Sequence, residues 1–200
     1  MRFEFWIDYL CPITYLTHKN LVSALDELNL KNYDLFYRSY ILKEDDISKV
    51  ELNENYIKLI EENNLEFNYF DTNFIHQIAH LAKRRGKAKE FSQLALKEVF
   101  ENKKLLDNKD DVLNLAVKAG LKEDESLNVL NTVCYTKQIA SNKINALNRK
   151  IEVIPHIRIN MKHHISGYIT KDELIKEIKR IINNLPKTEY CGENCVCSTY

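Results

Sequence analysis

Glycine and proline are scarce in this chain, four and three in 200 residues. That excludes a collagen-like repeat or a low-complexity linker and leaves a folded globular protein. Charge of one sign is also missing, since 29 acidic residues offset 29 basic ones. A chain without net charge has no general electrostatic pull toward nucleic acid or anionic membrane. No apolar run approaches membrane-spanning length. The start, MRFEFWIDYL, does not read as a secretory leader, because Glu4 and Asp8 interrupt it and it lacks a small-residue cleavage site. What is present is a core: 44% of residues are apolar, enough for one domain or for one domain with a sizeable insertion. The expected location is the cytoplasm, with neither nucleic acid nor membrane as a partner. Thiols are kept reduced there. The five cysteines are then candidates for catalysis, regulation or metal binding rather than structural disulfides.

Hydrophobic period divides the chain into three parts. Residues 2–9 read as a buried strand. Residues 12–28 read as a helix with Leu16, Leu21, Ala24, Leu25 and Leu28 on its apolar face, and residues 33–41 as a second strand. A helical crossover makes these two strands parallel. From about 54 to 149 the pattern is helical, with Asp71 or Thr72 as one cap and Gly86 and Gly120 closing two helices. At 151 the period changes. IEVIPHIRIN and HHISGY read as a hairpin turning at Asn160–Lys162. Thr170 and Glu173 form a capping box for a last helix, which Pro186 ends. The order βαβ, helices, ββα is a minimal thioredoxin arrangement interrupted by helices. The expected fold is α/β and thioredoxin-like, with an inserted all-helical domain. Residues 1–49 and 149–186 form the discontinuous thioredoxin-like domain, 50–148 the insertion and 187–200 a cysteine-containing tail.

Cys11 lies where the first strand becomes the first helix, and Pro12 suits that helix's first turn. A thiol there faces unpaired backbone N–H groups and the positive end of the helix dipole. Both favour the thiolate, the reactive form, so Cys11 is expected to titrate low and to be the most nucleophilic thiol of the domain. Thr14 stands one helical turn later on the same face, where a dithiol motif would have its second cysteine. It can donate a hydrogen bond to the thiolate but cannot resolve a disulfide.

These residues resemble the DsbA-like branch of the thioredoxin superfamily, particularly its cytoplasmic FrnE-like members. The resemblance runs over residues 3–182. DYLCPITY matches the family's acidic-aromatic strand end followed by Cys-Pro. FDTNFIHQIAHLAKRRGKAKEF through LLDNKDDVLNLAVKAGL resembles its helical insertion. VIPHIRINMKHHISGY resembles its late hydrophobic-Pro before a strand, with a Gly after the next one. The resemblance implies a thiol–disulfide oxidoreductase in which Cys11, Thr14 and Pro155 are catalytic. It also implies that Pro155 is cis and lies against Cys11, and that Pro12, Ile13, Ile154 and His156 face the substrate. The implied partners are protein or small-molecule thiols and disulfides. No metal or organic cofactor is implied, and a low-molecular-weight thiol such as glutathione is a possible co-substrate.

Several features carry two readings. His156 is either a neighbour of Cys11 that favours the thiolate or a surface histidine. His76 and His80, one turn apart, read as structural because no third ligand is near. Cys134, between Val133 and Tyr135, reads as core and therefore inert. The tail thiols Cys191, Cys195 and Cys197 read first as resolving thiols for Cys11, second as zinc ligands short of a fourth donor, third as inert. Function stays open in the same way. Kappa-class glutathione transferases and hydroxychromene carboxylate isomerases look similar, with a serine in the motif. A thioredoxin-like adaptor that binds peptides along the sheet edge is the non-enzymatic alternative.

Overall fold

The computed structural model describes residues 1–30, 32–43 and 53–184. The chain opens with β1 (Arg2–Ile7), α1 (Pro12–Glu27) and β2 (Asp34–Ser39). Six helices follow: α2 (Glu54–Glu62), α3 (Asn73–Arg84), α4 (Ala88–Phe100), α5 (Lys109–Lys118), α6 (Glu123–Thr132) and α7 (Thr136–Asn148). β3 (His156–Ile159), β4 (His163–Ser166) and α8 (Lys171–Asn183) close it. The four strands form one sheet in the order β2-β1-β3-β4. β1 runs parallel to β2 and antiparallel to β3, and β3 runs antiparallel to β4. This is an α/β fold with a helical insert between β2 and β3.

β1 is central, so both of its faces are buried. Phe3 and Phe5 point to the α1 side, where Phe5 stacks on His18 and the His18 ring meets the Tyr37 hydroxyl at 2.8 Å. α8 packs on α1 and starts with the expected capping box, Thr170 with Glu173. The other face of β1 carries Glu4 and Trp6. Glu4, 2% exposed, accepts hydrogen bonds from Arg2, Arg38 and Arg158. Burial alone would raise its carboxyl, but Arg38 and Arg158 hold it down at about 2.

All four strands are shorter than expected, β1 ending at Ile7 rather than at 9 and β4 at Ser166 rather than at Tyr168. β2 covers 34–39 rather than 33–41, and β3 starts only after Pro155 rather than at 151. Proline has no N–H to give to a ladder, and residues 151–155 run irregularly. At α3 the N-cap is Thr72 without a side-chain bond, while the Asp71 carboxylate accepts from the Asn73 N–H at 2.9 Å.

Candidate active site

Because β1 and β3 are antiparallel, the end of β1 and the start of β3 share one edge of the sheet. Trp6 pairs with His156, which puts Pro155 beside the segment leading to Cys11. Cys11 is the extended N-cap of α1, and Pro12 takes the first helical position. The Cys11 N–H reaches the Asp8 carbonyl at 3.4 Å, and its own carbonyl accepts from the Tyr15 N–H at 3.2 Å. The Ile154–Pro155 peptide is cis. The Pro155 carbonyl accepts from the Gly167 N–H at 2.8 Å. Among the described residues, neither the N–H nor the C=O of Ile154 takes a backbone partner.

The electrostatics of Cys11 reverse the expectation. Its side chain is fully buried, and burial pushes the thiol above its ordinary value. The Thr14 hydroxyl and the amides of Thr14 and Ile13 pull it down, as a helix N-terminus should, while the Asp8 charge adds to the rise. Helix-terminus donors are therefore present, but desolvation outweighs them. Thr14 is itself buried, and its hydroxyl meets no partner at good hydrogen-bond geometry; what it offers the sulfur is a polar contact. Pro12, Ile13 and Ile154 are buried as well.

Asp8, the acidic residue of the DYLCPITY run, organises this corner. Its carboxylate accepts from the Tyr9 N–H at 2.8 Å and the Leu42 N–H at 2.7 Å, and meets His76 Nε2 at 3.2 Å. An Asp8→Asn protein should therefore titrate Cys11 at lower pH than wild type, because a like charge is removed. The pH dependence of Cys11 alkylation reads this directly, and an upward or absent shift would mean that Asp8 does not act on the thiol.

Three other expectations need correction or relocation. His156 does not serve Cys11. It lies on the sheet face opposite α1, edge-on to Trp6, with Nδ1 2.8 Å from Ser166 Oγ and Nε2 2.9 Å from His164 Nδ1. Burial and the neighbouring His164 and Arg158 lower its pKa to about 4, so it is neutral and has both nitrogens engaged. Cys134 is exposed, not core. It follows the left-handed Val133 that ends α6, and Tyr135 takes the buried place beside it. Cys191, Cys195 and Cys197 lie outside the described residues, as does Pro186. His76 and His80 have separate engagements, His76 with Asp8 and His80 with Ser39, Asn142 and the Tyr135 ring.

One residue of this corner gave no signal in the sequence. Tyr56 of α2 places its hydroxyl within clashing reach of where a Cβ on Gly167 would be, and Cys11, when ionised, raises the pKa of its phenol. Nothing in NENYIKLIEENN distinguishes it from any half-buried helical tyrosine.

Solved structures share this architecture. A probable DsbA oxidoreductase from Streptomyces coelicolor is 18% identical, with 99% of this chain and 100% of that chain covered and a TM-score of 0.78. A 2-hydroxychromene-2-carboxylate isomerase is 14% identical over 92% of this chain and 95% of that one, with a TM-score of 0.69. The cytosolic disulfide reductase DsbM from Pseudomonas aeruginosa, also solved with GSH, is 10% identical over 92% and 99%, with a TM-score of 0.69. At these identities the likeness shows the fold alone. No curated protein matches in sequence. The family model that does match is the DSBA-like thioredoxin domain, over residues 2–179; with Cys11 at its strand–helix junction and Pro155 at the facing strand, the chain belongs to that family.

Proposed function

We propose that the chain is a cytoplasmic, FrnE-like thiol–disulfide oxidoreductase that works through a single motif cysteine. The observation that carries this reading is the position of Cys11: N-cap of α1, at the same sheet end as the cis Ile154–Pro155 peptide. In its thiolate form the Cys11 sulfur attacks one sulfur of a disulfide RSSR. The S–S bond breaks, a Cys11–S–S–R mixed disulfide forms, and RS⁻ leaves and takes a proton from water. Thr14 stabilises the thiolate by its polar contact, and the Ile154 N–H and C=O pair with the main chain of the substrate. Thr14 cannot expel the bound thiol, so a second thiol must attack the mixed disulfide. Cys191, Cys195, Cys197 or an external thiol such as glutathione fills that role. The partners are protein or small-molecule thiols and disulfides, and the exchange needs no metal or organic cofactor. The GSH found with the Pseudomonas DsbM supports a glutathione-type co-substrate.

The raised thiol gives this proposal a distinctive pH dependence. Cys11 is a neutral thiol at neutral pH, and its thiolate fraction increases as pH rises toward and beyond the ordinary value of 9.0. Glutathione disulfide, supplied to the full chain, should leave a glutathione adduct on Cys11 in peptide mass spectrometry. The rate of adduct formation should climb throughout the alkaline range. An adduct confined to Cys134, or none on Cys11, would defeat the proposal; a rate that levels off in the neutral range would show instead that the helix-terminus donors outweigh burial at the thiol.

One observation favours a second reading. A buried neutral thiol is a hydrogen-bond donor, and such a group can activate the sulfur of a bound thiol such as glutathione without exchanging disulfides, the kappa-class transferase or isomerase alternative.

A further inference from the structure

Cys11 has no exposed surface, so something decides what reaches it. An extended substrate paired with Ile154 would lie in a groove bounded by the N-terminus of α1, the cis Ile154–Pro155 segment, and Gly167, which is tied to Pro155 by a 2.8 Å hydrogen bond. Gly167 has a φ of +78°, which L side chains rarely adopt. It has a second reason to be glycine, because a Cβ there would run into the Tyr56 hydroxyl. Tyr56 thus reaches from the helical insert to Gly167, beside that path. Its helix is lightly seated: α2 packs on α1, and Tyr56, Leu59 and Ile60 are only partly buried against the core. Asn53 caps it, accepting from the Tyr56 N–H at 3.2 Å.

We propose that Tyr56 is the specificity-determining residue of the Cys11 site, seated on Gly167 so that the groove favours low-molecular-weight disulfides of the glutathione type over polypeptide ones. The physical asymmetry is one of size. A small disulfide needs only enough displacement of Tyr56 to pass one sulfur to Cys11. A protein disulfide needs the groove cleared along several residues, and therefore α2 undocked. The phenol is suited to the position. Burial raises its pKa, the nearby Cys11 adds to this and the Tyr168 amide partly opposes it, so it stays neutral beside the thiol. The exchange itself is that of the proposed function: Cys11–SH and RSSR give Cys11–S–SR and RSH, and a second R′SH releases RSSR′ and restores Cys11–SH.

This inference rests on Cys11 being the exchanging thiol, and its test separates the two. The full chain and its Tyr56→Ala, Tyr56→Phe and Gly167→Ala variants are given glutathione disulfide or insulin, and adducts at Cys11 are followed by peptide mass spectrometry. Tyr56→Ala should raise the insulin rate relative to the glutathione disulfide rate by about tenfold. Gly167→Ala, which pushes the hydroxyl off its seat, should move the ratio the same way. Tyr56→Phe, which keeps the ring, should stay close to wild type. An unchanged ratio in both alanine variants, or a Tyr56→Phe protein that behaves like Tyr56→Ala, overturns the inference. Iodoacetamide and a polymer-linked maleimide ask the access question without any exchange. If wild-type Cys11 forms no mixed disulfide, yet Tyr56→Ala admits the larger reagent selectively, the oxidoreductase reading fails and Tyr56 still controls access. If exchange occurs and neither ratio moves, the role of Tyr56 alone is refuted.

Discussion

A Cys11→Ser protein is expected to lose disulfide exchange by about a thousandfold or more, while Cys134→Ser leaves it unchanged. Serine oxygen cannot form the mixed disulfide, so the covalent route closes rather than slows. The contrast with Cys134 matters because the exposed thiol is the easier one to alkylate. Accessibility and the proposed role fall on different thiols: Cys134 is exposed just past the end of α6, whereas Cys11 is buried at the junction of α1 and the sheet end. The same variant discriminates between the two enzymatic readings. If Cys11 acts by donating a hydrogen bond to bound glutathione, a serine hydroxyl can replace it, and isomerase or transferase activity should survive. A Cys11→Ser protein that still turns over disulfides would remove Cys11 from the chemistry altogether.

The largest expected effect on stability is at Glu4. Glu4→Gln should destabilise the fold by about 3–5 kcal/mol, the usual penalty for removing one partner of a buried ion pair. The carboxylate is 2% exposed, and Arg158, its most buried partner, is 10% exposed. Arg2 is 41% exposed and contributes little. The loss is mainly that Arg158 and Arg38 keep their charges beside a neutral amide. A sign follows for acid. The folded carboxyl titrates at about 2, against 4.5 ordinarily, so its contribution is complete above 4.5 and is lost as pH falls through about 2. Wild-type stability should therefore drop across that window, and that of Glu4→Gln should be flatter there. Denaturant midpoints measured at several pH values check both points. A Glu4→Gln midpoint equal to that of wild type at neutral pH would show that the network adds nothing net.

Features set by near neighbours in the chain were readable from the residues. β1, α1, the β3–β4 hairpin and the Thr170–Glu173 cap all follow from short-range period and capping chemistry. The place of Cys11 at a helix start followed in the same way. The features that were not readable depend on residues distant in sequence. Donors at the helix terminus are local, but the burial that outweighs them depends on how the whole fold packs. The residues around His156 fit either face of the sheet, and only pairing with β1 places it on the Trp6 face. Cys134 sits in an apolar neighbourhood, yet a single left-handed residue at Val133 turns it outward. Tyr56 meets Gly167 only because α2 docks on the far half of the fold.

The antiparallel pairing of β1 with β3, Phe3 opposite Ile159, also affects how the molecule is made. A growing chain emits β1, α1 and β2 first, and β1 then waits with one edge unpaired until nearly all of the insert has been synthesised. The helices of the insert rest on contacts close in sequence, such as those of α5 with α6, and such contacts form early. The sheet closes late and over a long loop. Nascent or truncated chains that end before β3 therefore present an open strand edge, the template on which β proteins aggregate.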